Sequence, residues 1–303
     1  MPTLHVTYLT AGIIAVVLVG LGALVSTQLR QGRVGPAIRE VGVVLGLFAL
    51  WMGVGHLVGH HPTVGYTRGR QIWQLEEWMH LDIEPTLQRP VLHHEWAMRS
   101  ANYYYAYAHW LSVDVVLAWL WWRHRDDRYL ATRTTLVVFT GSCLLLHLVS
   151  TAPPRLLPQT HVADTGAMLG QSVYYDSPGV ADHLSAMPSI HVGWAVLFAI
   201  AVWPTGSRVA RIAVTAHAVI TSYVVMVTGN HFWLDGAVAA VLVALAWVVA
   251  GAWQDARRGT AVGVGIRPDP ARRGGQALGS RRGHAHASRD PSPGADRLDP
   301  AAP

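Results

Sequence analysis

The chain has 303 residues, of which 51% are hydrophobic and 14% are charged, and its mean hydropathy is +0.26. This balance excludes an ordinary soluble domain with a solvated surface and indicates an integral membrane protein. All 23 basic residues are arginine and give a formal net charge of +5. They cluster beside apolar runs and in the C-terminal tail, so membrane topology explains them better than nucleic-acid binding.

Apolar runs that are long enough for membrane-spanning helices recur along the chain. A spanning helix needs about 20 mostly apolar residues. Runs near that length lie at residues 8–28, 39–58, 101–122, 133–150, 189–203, 209–228 and 233–252. The sequence therefore predicts an all-α, polytopic transmembrane bundle of about seven spans.

Arginine-rich segments between these runs predict the orientation in the membrane. They follow the first, third, fifth and last runs, and they contain Arg30, Arg33, Arg39, Arg123, Arg125, Arg128, Arg133, Arg208, Arg211, Arg257 and Arg258. Because basic loops stay in the cytoplasm, these segments and the C-terminus are predicted to be cytoplasmic. The segments 59–100, 151–188 and 229–232 are then extracytoplasmic.

Two further segments complete the predicted organisation. Residues 69–98 mix apolar and charged side chains, which predicts an amphipathic helix on the outer membrane surface. Its acidic residues either form a solvated face or recognise the hydroxyls of a head group, and they are Glu76, Glu77, Asp82 and Glu84. The composition after residue 252 predicts a disordered tail. The predicted divisions are an N-terminal span and cytoplasmic loop (1–38), a membrane core (39–252) and the tail (253–303).

The stretch "TGNHFWLDGA" at residues 228–237 places His231 and Asp235 four residues apart, just before an apolar run. On a helix this spacing puts both side chains on one face. Asp235 can then accept a hydrogen bond from one ring nitrogen of His231, so that the other nitrogen acts as a base or nucleophile. The alternative is an interfacial histidine followed by a capping aspartate.

A second polar stretch, "SAMPSIHVGW" at residues 185–194, places Ser189 and His191 at the start of the next short run. Pro188 suits the first turn of a helix and Ser185 suits its N-cap. Free backbone N–H groups at such a turn, together with Ser189, favour an anion, and His191 is placed to donate a proton to a leaving oxygen. The alternative is a capping serine followed by a buried histidine.

The third stretch, "HLVSTAPPRLLP" at residues 147–158, contains a double proline that stiffens an extended loop. The loop presents Arg155, whose forked guanidinium group suits a phosphate. The alternative is an arginine that snorkels at the membrane interface. On the predicted topology all three stretches lie at one membrane face, where together they suit phosphoryl transfer through a phosphohistidine without a metal.

These residues resemble the type 2 phosphatidic acid phosphatase superfamily, and more narrowly its inositolphosphotransferase-like branch, which includes fungal inositol phosphorylceramide synthase. The resemblance rests on Ala152-Pro153-Pro154, on Pro188-Ser189-Ile190-His191 and on the pair His231 and Asp235, in this order. It spans roughly residues 40–250.

The resemblance implies a role for each matching residue. His231 would attack phosphorus, Asp235 would orient it and His191 would protonate the leaving alcohol. Arg155 and Ser189 would hold the phosphate oxygens, and Pro154 and Asn230 would also belong to the substrate-binding site. This chain has no lysine for the superfamily's first motif, Ile190 replaces the usual glycine of the second, and Val225 stands where the third usually has arginine.

The implied function is a membrane lipid-phosphate phosphatase or phosphotransferase with no cofactor. Its substrate would be a phospholipid, polyprenyl or sphingolipid-type phosphate, and the acceptor would be water or a polyol such as inositol. Two other classes stay open. A membrane metal oxygenase would use His56, His60, His61, His93, His94 and Glu95 as ligands. A transporter or channel would use the ionisable residues within spans, Asp114 and His147.

Overall fold

The computed structural model describes residues 8–28, 34–57, 62–123, 128–171 and 183–263. Within these ranges the chain is helical and contains no strand, so the predicted all-α class is confirmed. The predicted loop arginines Arg30, Arg33 and Arg125, and the tail from residue 264 onwards, lie outside the described residues.

Ten α-helices follow one another in the described residues. They are α1 (Tyr8–Gln28), α2 (Val34–Leu57), α3 (Pro62–Trp78), α4 (Glu84–Leu92), α5 (Glu95–Arg123), α6 (Leu130–His147), α7 (Thr165–Met168), α8 (Ile190–Val202), α9 (Arg208–Val227) and α10 (Trp233–Gly263). Two short 3₁₀ turns, Pro154–Leu156 and Pro158–Thr160, lie between α6 and α7. The chain divides into two units, Met1–Gln254 and Asp255–Pro303. Of the second unit the structure describes a helical stretch, 255–263.

Four of the described helices are long and apolar enough to cross a bilayer. They contain Leu9–Gln28, Leu130–His147, Arg208–Val227 and Trp233–Arg257. Large apolar side chains on these helices are exposed, among them Val16, Leu145, Val219 and Val248. Such surfaces suit lipid rather than water, and the chain is therefore a membrane protein. The other three predicted spans lie in α2, α5 and the 13-residue α8, so the count of seven stays a prediction.

The apolar core of the first unit lies among α5, α6, α8 and α10. Phe139, Leu197, Phe198 and Val243 are fully buried there. Trp194 on α8 donates its indole N–H to the Thr140 hydroxyl on α6 (3.1 Å). This packing fixes the start of α8, where the Pro-Ser-Ile-His motif lies, relative to α6 and α10.

The segment 69–98 differs from the single amphipathic helix that was predicted. It consists of the end of α3, then α4 and the first residues of α5, and the chain breaks after α3 at His80, which has a positive φ of 56°. One face of α3 is buried, and that face contains Glu76 as well as Trp73. The position of these two helices relative to a membrane stays a prediction.

The last helix is also longer than the apolar pattern indicates. It continues beyond residue 252 to Gly263, so the first residues assigned to the tail are helical.

Candidate active site

Backbone hydrogen bonds join the three polar stretches, although they are far apart in sequence. Thr151 and Ser185 form an isolated bridge, which pairs the first stretch with the second. The Ser189 N–H donates to the Asp235 carbonyl (3.2 Å), which joins the second stretch to the third. The Arg155 N–H donates to the Gly229 carbonyl (3.0 Å), which joins the first to the third. The three stretches therefore meet at one place.

A tight turn between α9 and α10 places His231. Gly229 has a φ of +70°, which favours glycine. A Cβ atom at this position would lie 2.8 Å from Cβ of Arg155 and 2.9 Å from Val162. The N–H groups of Asn230 and His231 both donate to the Val225 carbonyl (3.1 Å each). Val225, which stands where related motifs have arginine, thus contributes its backbone to the turn.

His231 is held through its Nδ1 atom. Nδ1 lies 2.7 Å from the Ala186 carbonyl oxygen and 3.4 Å from Oδ2 of Asp235. Both neighbours are acceptors, so Nδ1 carries the hydrogen and Nε2 has the free lone pair. The shorter contact is with a backbone carbonyl, whereas the sequence pointed only to Asp235. Oδ2 of Asp235 also accepts the Phe232 N–H (2.9 Å), and Asp235 is fully buried.

His191 faces His231 across a short gap. Their ring centroids are 5.7 Å apart. His191 stacks on Tyr105 (4.3 Å between centroids) and meets His109 edge-on (4.2 Å). Both partners lie on α5, and they fix the plane of the His191 ring.

Ser189 is the N-cap of α8, because its hydroxyl accepts the Val192 N–H (3.4 Å). The expectation that Ser185 caps this helix is therefore wrong, and Pro188 precedes the cap rather than lying in the first turn. Ser185 instead bridges to Thr151. Ser189 is fully buried, so a phosphate would reach its hydroxyl only from within the site.

Arg155 is packed inside the protein, and its side chain is 3% exposed. Nε donates to Oδ1 of Asn230 (2.9 Å), and Nη1 lies 3.9 Å from Oδ2 of Asp164. Asn230 in turn donates to the Thr228 hydroxyl (2.9 Å). Such burial does not fit an arginine that snorkels to an interface. Pro154, the first residue of a 3₁₀ turn, sets the backbone that presents Arg155.

Several residues near the site were not assigned to it from the sequence. Tyr105 and His109 lie within an aromatic run of α5, where their four-residue spacing was the one available signal. His147 had been noted as an ionisable residue within a span, and its Nε2 donates to the Pro188 carbonyl (3.1 Å). Glu76 and Glu84 had been assigned to a surface helix, yet both are fully buried.

Of the residues that the two rival classes would use, His147 contacts this arrangement through the Pro188 carbonyl. Among the described residues, no three His, Cys, Asp or Glu side chains are grouped as metal ligands, and His93, His94 and Glu95 are exposed. His60 and His61 lie outside the described residues. Asp114 is exposed on α5.

Comparison with known proteins assigns the family. A family model described as the PAP2 superfamily matches residues 70–249, which is more than half of the chain. No curated protein and no solved structure matches the chain. The matched range contains all three polar stretches. The chain therefore belongs to the PAP2 superfamily, whose members are phosphoesterases that act on phosphorylated lipid-like substrates.

Proposed function

We propose that this protein is a multi-pass membrane enzyme that cleaves a lipid phosphoester through a phosphohistidine formed on His231. The observation that carries the proposal is the pair of facing imidazoles, with ring centroids 5.7 Å apart. Nδ1 of His231 is occupied by Ala186 and Asp235, which leaves Nε2 as the nucleophile. One phosphoryl group can contact both rings across such a gap.

The proposed reaction has two steps. The lone pair on Nε2 of His231 attacks phosphorus, the bond from phosphorus to the ester oxygen breaks, and His191 gives its proton to that leaving oxygen. Water or an alcohol then attacks the phosphohistidine. His191 takes back the proton from this acceptor, and His231 is released. Asp235 and the Ala186 carbonyl stabilise the positive charge that the His231 ring acquires.

Phosphate binding is assigned to the residues around the two histidines. Arg155 supplies the positive charge, and its bond to Asn230 holds the guanidinium group in place. The Ser189 hydroxyl and the first N–H groups of α8 supply further donors. Pro154 keeps the Arg155 loop rigid. With no lysine in the chain and valine at position 225, Arg155 carries most of the charge neutralisation.

The substrate class follows from the membrane setting. The lipid tail of a phospholipid, polyprenyl or sphingolipid-type phosphate would stay in the bilayer while its phosphate reaches the site. The arginine pattern supports a site on the extracytoplasmic side of a seven-span bundle with a cytoplasmic C-terminus. The inositolphosphotransferase-like motifs favour a polyol such as inositol as acceptor, with water as the alternative.

The experiment is a screen of lipid phosphates with purified protein, with and without inositol and other polyols. Cleavage by the wild type and its loss in His231→Ala are expected. The matched control is His93→Ala, because His93 is exposed at the end of α4. A phosphorylated polyol identifies a transferase, and free phosphate identifies a hydrolase. Cleavage that persists in His231→Ala would contradict the proposal.

Substrates with different leaving groups distinguish the role of His191 from that of His231. A substrate labelled in its phosphate should give the wild type a phosphoenzyme that is stable in base and labile in acid. His191→Ala should form this species slowly from an alkyl ester but faster from a nitrophenyl ester, which leaves without a proton. Equal losses for both esters would remove His191 from the role of acid.

A further inference from the structure

Backbone N–H groups at the start of α10 donate hydrogen bonds to three buried carboxyl groups. The Phe232 N–H donates to Asp235 (2.9 Å). The Trp233 N–H donates to Oε1 of Glu84 (2.7 Å), and the Leu234 N–H donates to Oε1 of Glu76 (3.2 Å). All three carboxyl groups are fully buried. The helix that contains Asp235 is thus fixed at its N-terminus by α3 and α4.

In the part of the chain that the structure describes, no arginine neutralises the two glutamates of this cluster. Among the described residues, neither Glu76 nor Glu84 forms an ion pair with arginine or histidine. The charged groups that act on the two glutamates are themselves acidic: Glu84 and Asp235 act on Glu76, and Asp235 and Asp82 act on Glu84. The partial positive charge of one helix N-terminus does not balance three adjacent carboxylates. Full ionisation would therefore be strongly repulsive in this buried setting.

One proton on the two glutamates would remove part of the negative charge and would supply the donor that their hydrogen bonding lacks. Oε1 of each glutamate accepts a backbone N–H, whereas Oε2 of each is buried without a hydrogen-bond partner in the described structure. Two carboxyl groups can form a hydrogen bond with each other only when one of them carries a proton. A carboxylic acid on Glu76 that donates to Glu84 completes the hydrogen bonding of the pair.

The energetics of the two groups agree with this arrangement. Burial raises the pKa of Glu76 far above its ordinary value of 4.5, and the negative charge of Glu84 raises it further. Burial also raises the pKa of Glu84, while the N–H of Trp233 opposes this change. Near neutral pH the pair of carboxyl groups therefore keeps one proton.

We propose that Glu76 and Glu84 are positioning residues, which share one proton and in that state hold the first turn of α10 so that Asp235 meets His231. The proposal deepens the proposed function and rests on it. Asp235 also accepts the Ser189 N–H through its carbonyl, so a shift of this turn would disturb both histidine-bearing stretches. Loss of the shared proton at alkaline pH leaves three carboxylates in contact and loosens the turn.

The decisive variant is Glu76→Gln, tested against Glu77→Gln. A glutamine amide reproduces the protonated glutamate, because its N–H₂ donates to Glu84 and its carbonyl accepts the Leu234 N–H. Glu77 is exposed on the same helix and serves as the matched control. The wild type should lose kcat reversibly as the pH rises into the alkaline range. In Glu76→Gln this loss should move upward by about one pH unit or more, and in Glu77→Gln it should not move.

Removal of the carboxyl group tests positioning directly. Glu76→Ala leaves the buried Leu234 N–H without an acceptor, and kcat should fall at least about tenfold while KM changes little. Glu76→Gln should restore most of this loss. Identical pH profiles for the wild type and Glu76→Gln would overturn the proposal, as would an equal kcat for Glu76→Ala and the wild type.

A second readout needs no substrate and separates this proposal from the proposed function. A carboxyl whose pKa is raised on folding binds a proton that the unfolded chain has already released. The wild type should therefore lose thermal stability as the pH rises above the ordinary carboxyl pKa of 4.5 towards the raised value. Glu76→Gln should show a smaller loss than Glu77→Gln. If His231→Ala keeps full activity but these unfolding curves separate, the proposed function fails and the shared proton stands. Coincident curves would overturn the shared proton.

Discussion

Two buried carboxylate sites in this protein are built in opposite ways. Glu40 on α2 is buried, and both of its oxygens accept from Nη1 of Arg133 on α6 (2.7 and 2.8 Å). The Tyr129 hydroxyl donates to Oε2 of the same carboxylate (3.0 Å). Glu76 and Glu84 are equally buried, yet their hydrogen bonds come from backbone N–H groups of α10.

The difference shows how a buried negative charge can be stabilised for different purposes. At Glu40 an arginine neutralises the charge, and the contact joins two helices through side chains alone. At Glu76 and Glu84 a proton replaces the cation, and the contact joins two helices to the first turn of a third through its backbone. The first arrangement stabilises the fold, whereas the second also couples the turn that contains Asp235 to pH.

Removal of the cation at the first site should give the largest loss of stability. Arg133→Gln removes the nearer cation of buried Glu40 and leaves Arg39, whose Nη2 lies 3.9 Å from Oε1 of Glu40. Because the Arg133 side chain is 27% exposed, we expect the lower end of the range for a broken buried pair, about 3 kcal/mol. Thermal unfolding in detergent micelles measures the effect, and Arg123→Gln is the exposed control at the end of α5. The double variant Glu40→Gln/Arg133→Gln should recover much of the loss. A double variant as unstable as the single one would show that the charge is not the cause.

Strain in the backbone of the turn between α9 and α10, which leads into the second site, should have the next largest effect. Gly229→Ala forces a positive φ on alanine and places its Cβ atom 2.8 Å from Cβ of Arg155. We expect a loss of about 2 kcal/mol and a clear fall in activity, because Arg155 and the His231 turn must both shift. Gly170→Ala is the matched control, since Gly170 also has a positive φ (63°) but open space around it. Equal losses of activity in the two variants would mean that the contact with Arg155 has no effect.

The sequence predicted those parts of the protein that depend on local patterns. Apolar runs marked the helices, and the motif residues marked the three stretches that the structure brings together. The four-residue spacing of His231 and Asp235 predicted their contact, although His231 precedes α10, which begins at Trp233. The close approach of His191 and His231 followed from motif order rather than from any local signal.

The parts that the sequence did not predict depend on distant backbone atoms. The main acceptor of His231 is the Ala186 carbonyl. Every residue type has a backbone carbonyl, so the residue type at position 186 does not indicate this contact. Glu76 and Glu84 were interpreted as surface residues because charged side chains are usually solvated. Their partners are N–H groups of residues 233 and 234, which a local pattern around residue 80 does not contain. The break at His80 divides the predicted amphipathic helix, and its one local sign is Pro85, which lies in the first turn of α4.

The smallest expected effect concerns the neutral partner of Glu40. Tyr129→Phe removes one hydrogen bond but keeps the ring, which packs edge-on against Trp121 (5.0 Å between centroids). Arg133 still neutralises the carboxylate, so the loss should be about 1 kcal/mol, as for an ordinary hydrogen bond. Tyr103→Phe is the exposed control, and thermal unfolding again provides the measurement. If Tyr129→Phe cost as much as Arg133→Gln, the hydroxyl rather than the guanidinium group would be the main partner of Glu40. Both buried sites would then be stabilised mainly by a hydrogen-bonded proton, and the contrast between a cation at one site and a shared proton at the other would be lost.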